Sequence, residues 1–245
     1  MGPRLGPLLL AEGMSMTGWR RFLPTQPPVA WREALRAGLG VCVGLAATGL
    51  VSQAALGGAG AMPALLAPIG ASAVLVFGVP ASPLTQPWAV LGGNMVGALV
   101  GVSAGLLIGQ PLLAGAVAVG GAVAAMAALR CVHPPGGAMA LTAVLGGPHI
   151  AALGYGFVLA PVGLNTLLLV LAALVYHRVT GLAYPHRAHA PLHPHPAPAP
   201  LALAPEDLDE VLADYGEMVD ISRDDLEALF QELLGRVQTR GADAP

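Results

Sequence analysis

The sequence predicts an all-α, polytopic membrane helix bundle. Three observations carry that reading. From Ala37 to His177 the only formal charge is Arg130. Mean hydropathy over the 245 residues is +0.69, with 55% hydrophobic and 10% charged residues. Apolar stretches of near-membrane length alternate with Pro and Gly breakers. A soluble domain of that size must carry a charged exterior, so this block is solvated by lipid. An ionisable residue inside it is costly to keep and is a functional-site candidate by default.

The N-terminal tail, residues 1–30, is a poor signal peptide. Leu8-Leu9-Leu10-Ala11 is too short and Glu12 follows it; Met14 and Met16 are alternative starts. Trp19, Trp31 and the neighbouring arginines form an interfacial lead-in. The membrane region, residues 31–184, holds six apolar segments at roughly 33–53, 63–80, 87–109, 112–131, 135–147 and 151–177. A spanning helix needs about 20 apolar residues. The second segment contains Pro68 and is marginal. The fifth is too short to cross alone; a re-entrant half-helix, tolerated only where protein buries it, is one reading of it.

Arg32 and Arg36 precede the block; Arg178 and Arg187 follow it. The positive-inside rule then places both termini in the cytoplasm, at the inner (plasma) membrane, with an even number of crossings. Six crossings put Arg130 inside; four, with segments two and five re-entrant, put it outside. Six crossings, or their broken-helix equivalents, are expected.

A weak internal repeat accompanies the segments. Pro68-Ile69-Gly70-Ala71-Ser72-Ala73 and Pro135-Gly136-Gly137-Ala138-Met139-Ala140 both read P-x-G-A-x-A, and each precedes a long helix with an early Asn, Asn94 or Asn165. Three crossings per unit would invert the second unit relative to the first. Paired Pro/Gly-interrupted segments in matching positions point to a transporter's binding site. In the third segment Gly93, Gly97, Gly101, Gly105 and Gly109 recur every four residues, as do Gly40 and Gly44 in the first. Such rows let helices approach closely. Packing inside one protomer is the first reading of the row; a homo-oligomer interface is the second.

Residues 185–204 form a Pro/His-rich linker. Its histidines, His186, His189, His193 and His195, have no carboxylate beside them, so no metal is expected. Residues 205–245 form an acidic amphipathic helical tail; 12 of the 14 acidic residues lie after position 200. Pro205 starts one short helix with the stripe Leu208, Val211, Leu212 and Tyr215. Ser222 caps the next, with Asp225 three residues on and the stripe Leu226, Leu229, Phe230 and Leu233. This tail reads as a docking element for a soluble cytoplasmic partner.

Cys42 and Cys131 lie in apolar surroundings and read as buried small hydrophobes. No zinc spacing, nucleotide loop, nucleophile constellation or carboxylate pair is visible. Neither an enzyme, a cofactor nor a nucleic-acid partner is therefore expected.

The blocks Arg130-Cys131-Val132-His133-Pro134-Pro135-Gly136-Gly137-Ala138, Ala67–Ala73, Gln86-Pro87-Trp88, Gly92-Gly93-Asn94 and Pro161-Val162-Gly163-Leu164-Asn165, in that set, resemble the HPP family of integral membrane proteins. The resemblance covers roughly residues 30–185. It implies a small bundle of about four spans; some members are linked to nitrite transport, and many carry a C-terminal CBS pair that binds adenine nucleotides. Residues 203–234 resemble the connector to that pair, and the chain ends at Pro245. Nucleotide regulation in cis is not expected.

The residues themselves suit a small anion. Pro134-Pro135 starts a helix whose free N–H groups and partial positive charge favour an anion. Gly136 and Gly137 would let it approach the backbone. Arg130 adds a planar donor fork, and His133 a donor or a proton. Gly70 and Ser72 would supply the opposing helix start, Asn94 and Asn165 neutral donors. Against this stand plainer roles: Arg130 as topology anchor, His133 as helix cap, the asparagines as interhelical glue. The expectation is a transporter or channel for a small anion, its path near the midplane between Arg130–His133–Gly136–Gly137 and Gly70–Ser72; a membrane scaffold or sensor coupled through the tail is the alternative.

Overall fold

The computed structural model describes residues 29–56, 65–186, 208–212 and 221–242, with side chains to Arg236 in the last. The expectations for residues 1–28, Pro205, Tyr215 and the linker histidines His189, His193 and His195 lie outside the described residues. Among the described residues the chain is helical and contains no strand. The helices are α1 (Trp31–Ala55), α2 (Ala67–Gly78), α3 (Pro87–Leu107), α4 (Pro111–Ala128), α5 (Pro134–Leu145), α6 (Pro148–Leu153), α7 (Leu164–Thr180) and α8 (Arg223–Ala242).

Proline sets most of the starts. Pro87, Pro111, Pro134 and Pro148 are first residues and Pro68 is the second. At these positions the missing N–H has no intrahelical partner to lose. Four helical spans are long and apolar enough to cross a membrane: Trp31–Ala55, Pro87–Leu107, Pro111–Ala128 and Val158–Thr180. The last is not one straight helix. Ala160 is extended (φ −139°, ψ 122°) just before Pro161, so the wide-turned segment Val158–Gly163 kinks into α7. The sequence reading of one segment over 151–177 is corrected accordingly: Gly154 and Pro161 break it into α6, the kinked segment and α7.

Helices α2 and α5 have 12 residues each. At 1.5 Å per residue that is about 18 Å, short of a hydrocarbon core of about 30 Å. They are half-helices, and protein surrounds them. Ile69, Ala73, Val76 and Phe77 of α2 and Met139 and Ala140 of α5 are fully buried.

The ends of the helices reveal the topology. Tyr176 Oη donates to the Arg36 carbonyl (2.7 Å), and Arg36 Nη2 reaches the Phe77 carbonyl at the end of α2 (3.5 Å). Tyr184 Oη donates to the Thr85 carbonyl (2.8 Å), and Trp88 Nε1 to the Leu129 carbonyl (3.2 Å). The start of α1, the ends of α2, α4 and α7, and the start of α3 therefore meet at one end of the bundle. Arg32, Arg36, Arg130 and Arg178 all belong to that end. Helix α2 runs toward it and α5 leaves from it, so the two half-helices point in opposite directions. The second unit is inverted relative to the first, as six traverses require, and the four-crossing arrangement with Arg130 at the other end is not the one formed.

The units also exchange helices. Helix α1 packs on α2 and α7, whereas α4 packs on α3 and α5. The most extensive packing is α3 on α5, and glycine makes it. A Cβ on Gly93 would stand 2.5 Å from the His133 Cβ; one on Gly97 would run into the Gly136 carbonyl, one on Gly101 into the Ala140 carbonyl, and one on Gly136 into the Gly93 carbonyl. The row relaxes at Gly105, whose nearest neighbour would be 3.9 Å away, and ends at Gly109, with nothing within 4 Å. Between helices in lipid, such close contact replaces the missing hydrophobic drive. From Gly93 to Gly101 the row thus packs within the protomer. On α1, Gly40 and Gly44 leave the space filled by the Phe77 ring.

The tail returns to the arginine-bearing end. His186 Nε2 lies 2.8 Å from Asp225 Oδ2, and Asp225 N–H bonds Ser222 Oγ at 3.1 Å, the expected cap. Arg223 bridges to Asp209 at 2.6 and 3.0 Å. Leu229, Phe230 and Leu233 of the expected stripe are exposed, and Leu208 is buried.

Candidate functional site

Four positions converge inside the bundle. His133 is the residue before α5 and has an extended backbone (φ −141°, ψ 106°) because Pro134 disfavours the helical conformation there. Its ring is fully buried. Nε2 lies 2.8 Å from Ser72 Oγ on α2, and Nδ1 lies 2.8 Å from the Leu84 carbonyl in the turn between α2 and α3. Asn94 Nδ2 donates to the same Ser72 Oγ at 3.1 Å. Ser72 Oγ also faces the Pro68 carbonyl at 3.1 Å, one turn back on its own helix. Ser72, Asn94 and His133 are all completely buried.

The network orders its own protons. A carbonyl only accepts, so the Leu84 contact places a hydrogen on His133 Nδ1. In the neutral ring Nε2 is then an acceptor, and the single Ser72 hydrogen is shared between it and the Pro68 carbonyl. Ser72 Oγ in turn accepts from Asn94, which fixes the amide with Nδ2 inward. Asn94 Oδ1 is left buried with no hydrogen-bond partner among the described residues.

The sequence-predicted residues divide. Ser72, Asn94 and His133 come together. Arg130 does not join them: it is exposed, in the tight turn between α4 and α5 with φ 53°; its backbone N–H bonds the Ala127 carbonyl at 3.1 Å, and its guanidinium forms no hydrogen bond or ion pair with a described residue. Three residues of chain carry His133 inward while Arg130 stays at the bundle end, because Cys131 is the buried residue of that turn. Gly136 is buried against Gly93, not open to a ligand, and its N–H is taken by the His133 carbonyl (2.8 Å). Gly137 is in ordinary contact with Val119, while nothing lies within 4 Å of a Cβ on Gly70. Pro134 and Pro135 act as helix starters.

Asn165 belongs to a second buried cluster. Its Nδ2 donates to Ser52 Oγ on α1 at 2.9 Å, and its Oδ1 has no partner among the described residues. Thr48 lies one turn before Ser52 on the same buried stripe, and its Oγ1 is likewise unpartnered. Sequence reasoning passed over Ser52 and Thr48; the signal was the stripe Gly40, Gly44, Thr48, Ser52, small or hydroxylated every fourth residue.

The clusters sit at different depths. Asn94 is the eighth residue of a span that starts at the arginine-bearing end, about 10 Å in. Asn165 is the eighth residue of the span Val158–Thr180, which starts at the opposite end. The residues expected together near the midplane form two polar stations instead, one in each half of the bundle, because the units are inverted. An apolar groove of about 420 Å³ on the outer face of α1 and α7 is lined by Val43, Val51, Leu171 and Val175, among others, and suits lipid chains. Among the described residues no group of His, Cys, Asp or Glu is placed to hold a metal.

A helix bundle with four membrane-length apolar spans, two buried half-helices and a lipid-exposed surface of Leu, Val and Ala is an integral membrane protein. Residues 26–185 match the transmembrane region of the HPP family, and the chain belongs to that family. Two transmembrane proteins of Dictyostelium discoideum are similar to it. One is 38% identical over 115 residues, covering 45% of this chain and 37% of that protein. The other is 36% identical over 118 residues, covering 46% and 41%. The chain thus matches well under two thirds of those relatives' length. No solved structure matches it.

Proposed function

We propose that this protein is a transporter or channel for a small inorganic anion of the nitrite type. The observation that carries the reading is the convergence of Ser72, Asn94 and His133, fully buried, from three elements of an uncharged bundle. Polar side chains at that depth are expensive to keep, and those that persist mark substrate paths. They gather beside two oppositely directed half-helices, the arrangement from which transporter sites are built. The absence of Asp, Glu and Lys from Ala37 to His177 disfavours a cation. Arg130 then works at the mouth of the path, drawing anions to the bundle end. With the positive-inside rule, that end faces the cytoplasm. Nitrite uptake into proteoliposomes tests the reading: the wild type should move it, and Ser72→Ala should slow it at least tenfold. No protein-dependent flux of nitrite or any similar small anion would end it.

One observation favours a second reading, coupling to the tail. Leu84, Thr85 and Gln86 are consecutive. Leu84 holds His133, the Thr85 carbonyl accepts from Tyr184, and Gln86 Oε1 accepts the His186 N–H at 2.9 Å. His186 in turn meets Asp225 of α8. The buried site and the tail thus share one turn, through which a soluble partner docked on α8 would be sensed.

A further inference from the structure

Both polar stations present the same kind of open group. Asn94 and Asn165 each donate Nδ2 to a buried serine and leave Oδ1 without a partner among the described residues. At Asn94 that orientation follows because the Ser72 hydrogen is taken by His133 Nε2 and the Pro68 carbonyl, which leaves Ser72 Oγ to accept. Both amides are fully buried. A carbonyl oxygen carries partial negative charge and only accepts hydrogen bonds. It repels a bare anion, the more strongly in a low-dielectric interior. It suits a molecule that brings its own hydrogen.

Resting on the transport reading above, we infer that the substrate crosses as a neutral, undissociated weak acid, whose O–H donates to Asn94 Oδ1 at one station and to Asn165 Oδ1 at the other. The proton stays on the substrate throughout. No group of the bundle need change its charge. The titratable and charged groups around the first station agree with this. The turn before α5 offers Cys131, the exposed Arg130 and His133, whose two ring nitrogens are taken by the Leu84 carbonyl and Ser72 Oγ. Helix α2 and the following turn offer none, and α3 offers none. From α1 and α7 come Glu33, Arg36 and His177, and Tyr184 follows α7; Arg36, His177 and Tyr184 are bonded to the carbonyls of Phe77, Val76 and Thr85. The one carboxylate among these groups, Glu33, is half-exposed and ion-paired with Arg36 at the bundle end. Small monobasic weak acids such as nitrous and formic acid fit; anions of strong acids, which stay ionised in water, do not.

Proteoliposomes holding the full chain and a lumenal pH dye test this, with nitrite, formate, nitrate and chloride as probes. Vesicles without protein give the passive leak to subtract. Nitrite and formate should enter with one proton each, at a rate indifferent to a valinomycin-set potential, and about tenfold faster for each unit of pH lowered above the acid's pKa. Nitrate and chloride should not enter. Asn94→Leu should abolish the flux, and Asn94→Gln, which keeps the acceptor, should restore part of it. Should Asn94→Leu not fold, the wild-type measurement still decides. Potential-driven nitrite or nitrate entry without acidification overturns the inference and leaves the transporter reading intact. Protein-dependent flux of none of the four overturns both.

Discussion

His133 Nε2 and Ser72 Oγ lie 2.8 Å apart although 61 residues separate them in the chain. The contact joins the end of the α4–α5 turn to the middle of α2, and so ties the inverted units together. Asn94 adds a third helix through the same hydroxyl.

Ser72→Ala should destabilise the bundle modestly while disabling it. The change strands His133 Nε2 and Asn94 Nδ2. A buried group left unpaired costs about 1–3 kcal/mol in a soluble protein. Interhelical bonds in membranes measure nearer 0.6 kcal/mol, because the alternative state finds partners too. The expected loss is therefore about 1 kcal/mol in detergent unfolding. A Ser72→Ala/Asn94→Ala double-mutant cycle with no coupling energy would show that the two do not act as a unit.

The glycine row should respond by position. Gly97→Ala puts a methyl group into the Gly136 carbonyl, and Gly93→Ala one against His133. Overpacking of this kind costs about 1–3 kcal/mol or more, against a gain of up to about 1 kcal/mol in helix propensity. Both should lower the thermal midpoint. Gly105→Ala has room, its nearest neighbour being 3.9 Å away, and should leave the midpoint level or raised. Gly101→Leu, with the Ala140 carbonyl in the way, should fail to pack.

Arg130→Gln should fold normally, since the guanidinium has no partner among the described residues. An exposed charge at the bundle end acts by steering, which salt screens. Flux should fall by no more than about tenfold, and the deficit should shrink at high ionic strength. Complete loss at all salt concentrations would return Arg130 to the path itself.

Cysteine labelling checks the topology. In a Cys42→Ala, Cys131→Ala background, Arg130→Cys and Arg178→Cys should react from the same side of the membrane, and Gln110→Cys from the other. Labelling of Arg130→Cys and Arg178→Cys from opposite sides would contradict the inverted arrangement.

The tail should loosen in acid. The Asp209 carboxyl is held below the ordinary carboxylate range, first by its hydrogen bonds from Arg223 and then by that residue's charge. A lowered folded-state pKa stabilises above the unfolded value and loses that contribution as pH falls through the folded one. Amide exchange at 208–212 should thus stay slow through the ordinary carboxylate titration and quicken only below it. Asp209→Asn should remove that pH step.

Local chemistry was enough for much of this. A lipid-solvated block follows from the missing charge between Ala37 and His177, half-helices from Pro68 and Pro134-Pro135, and the α8 cap from Ser222 and Asp225; each depends on residues close together in the chain. The same logic placed Ser72, Asn94 and His133 among the site candidates by type and by position after a Pro/Gly break. It also grouped Arg130, Gly136 and Asn165 with them, and there it ran out. Which polar groups meet depends on the depth and rotation of each helix, and those are decided by packing. The carbonyl of Gly136 lies in the groove beside Gly97, and Gly93 receives the His133 Cβ, which lowers His133 onto Ser72. Inversion of the second unit carries Asn165 to the other half of the bundle, against Ser52. The sequence by itself determined what kind of solvent surrounds this chain and where its helices begin. Only the tertiary structure decided which buried hydrogens are shared, because a hydrogen bond is a matter of a few tenths of an ångström between helices that the sequence merely makes smooth enough to touch.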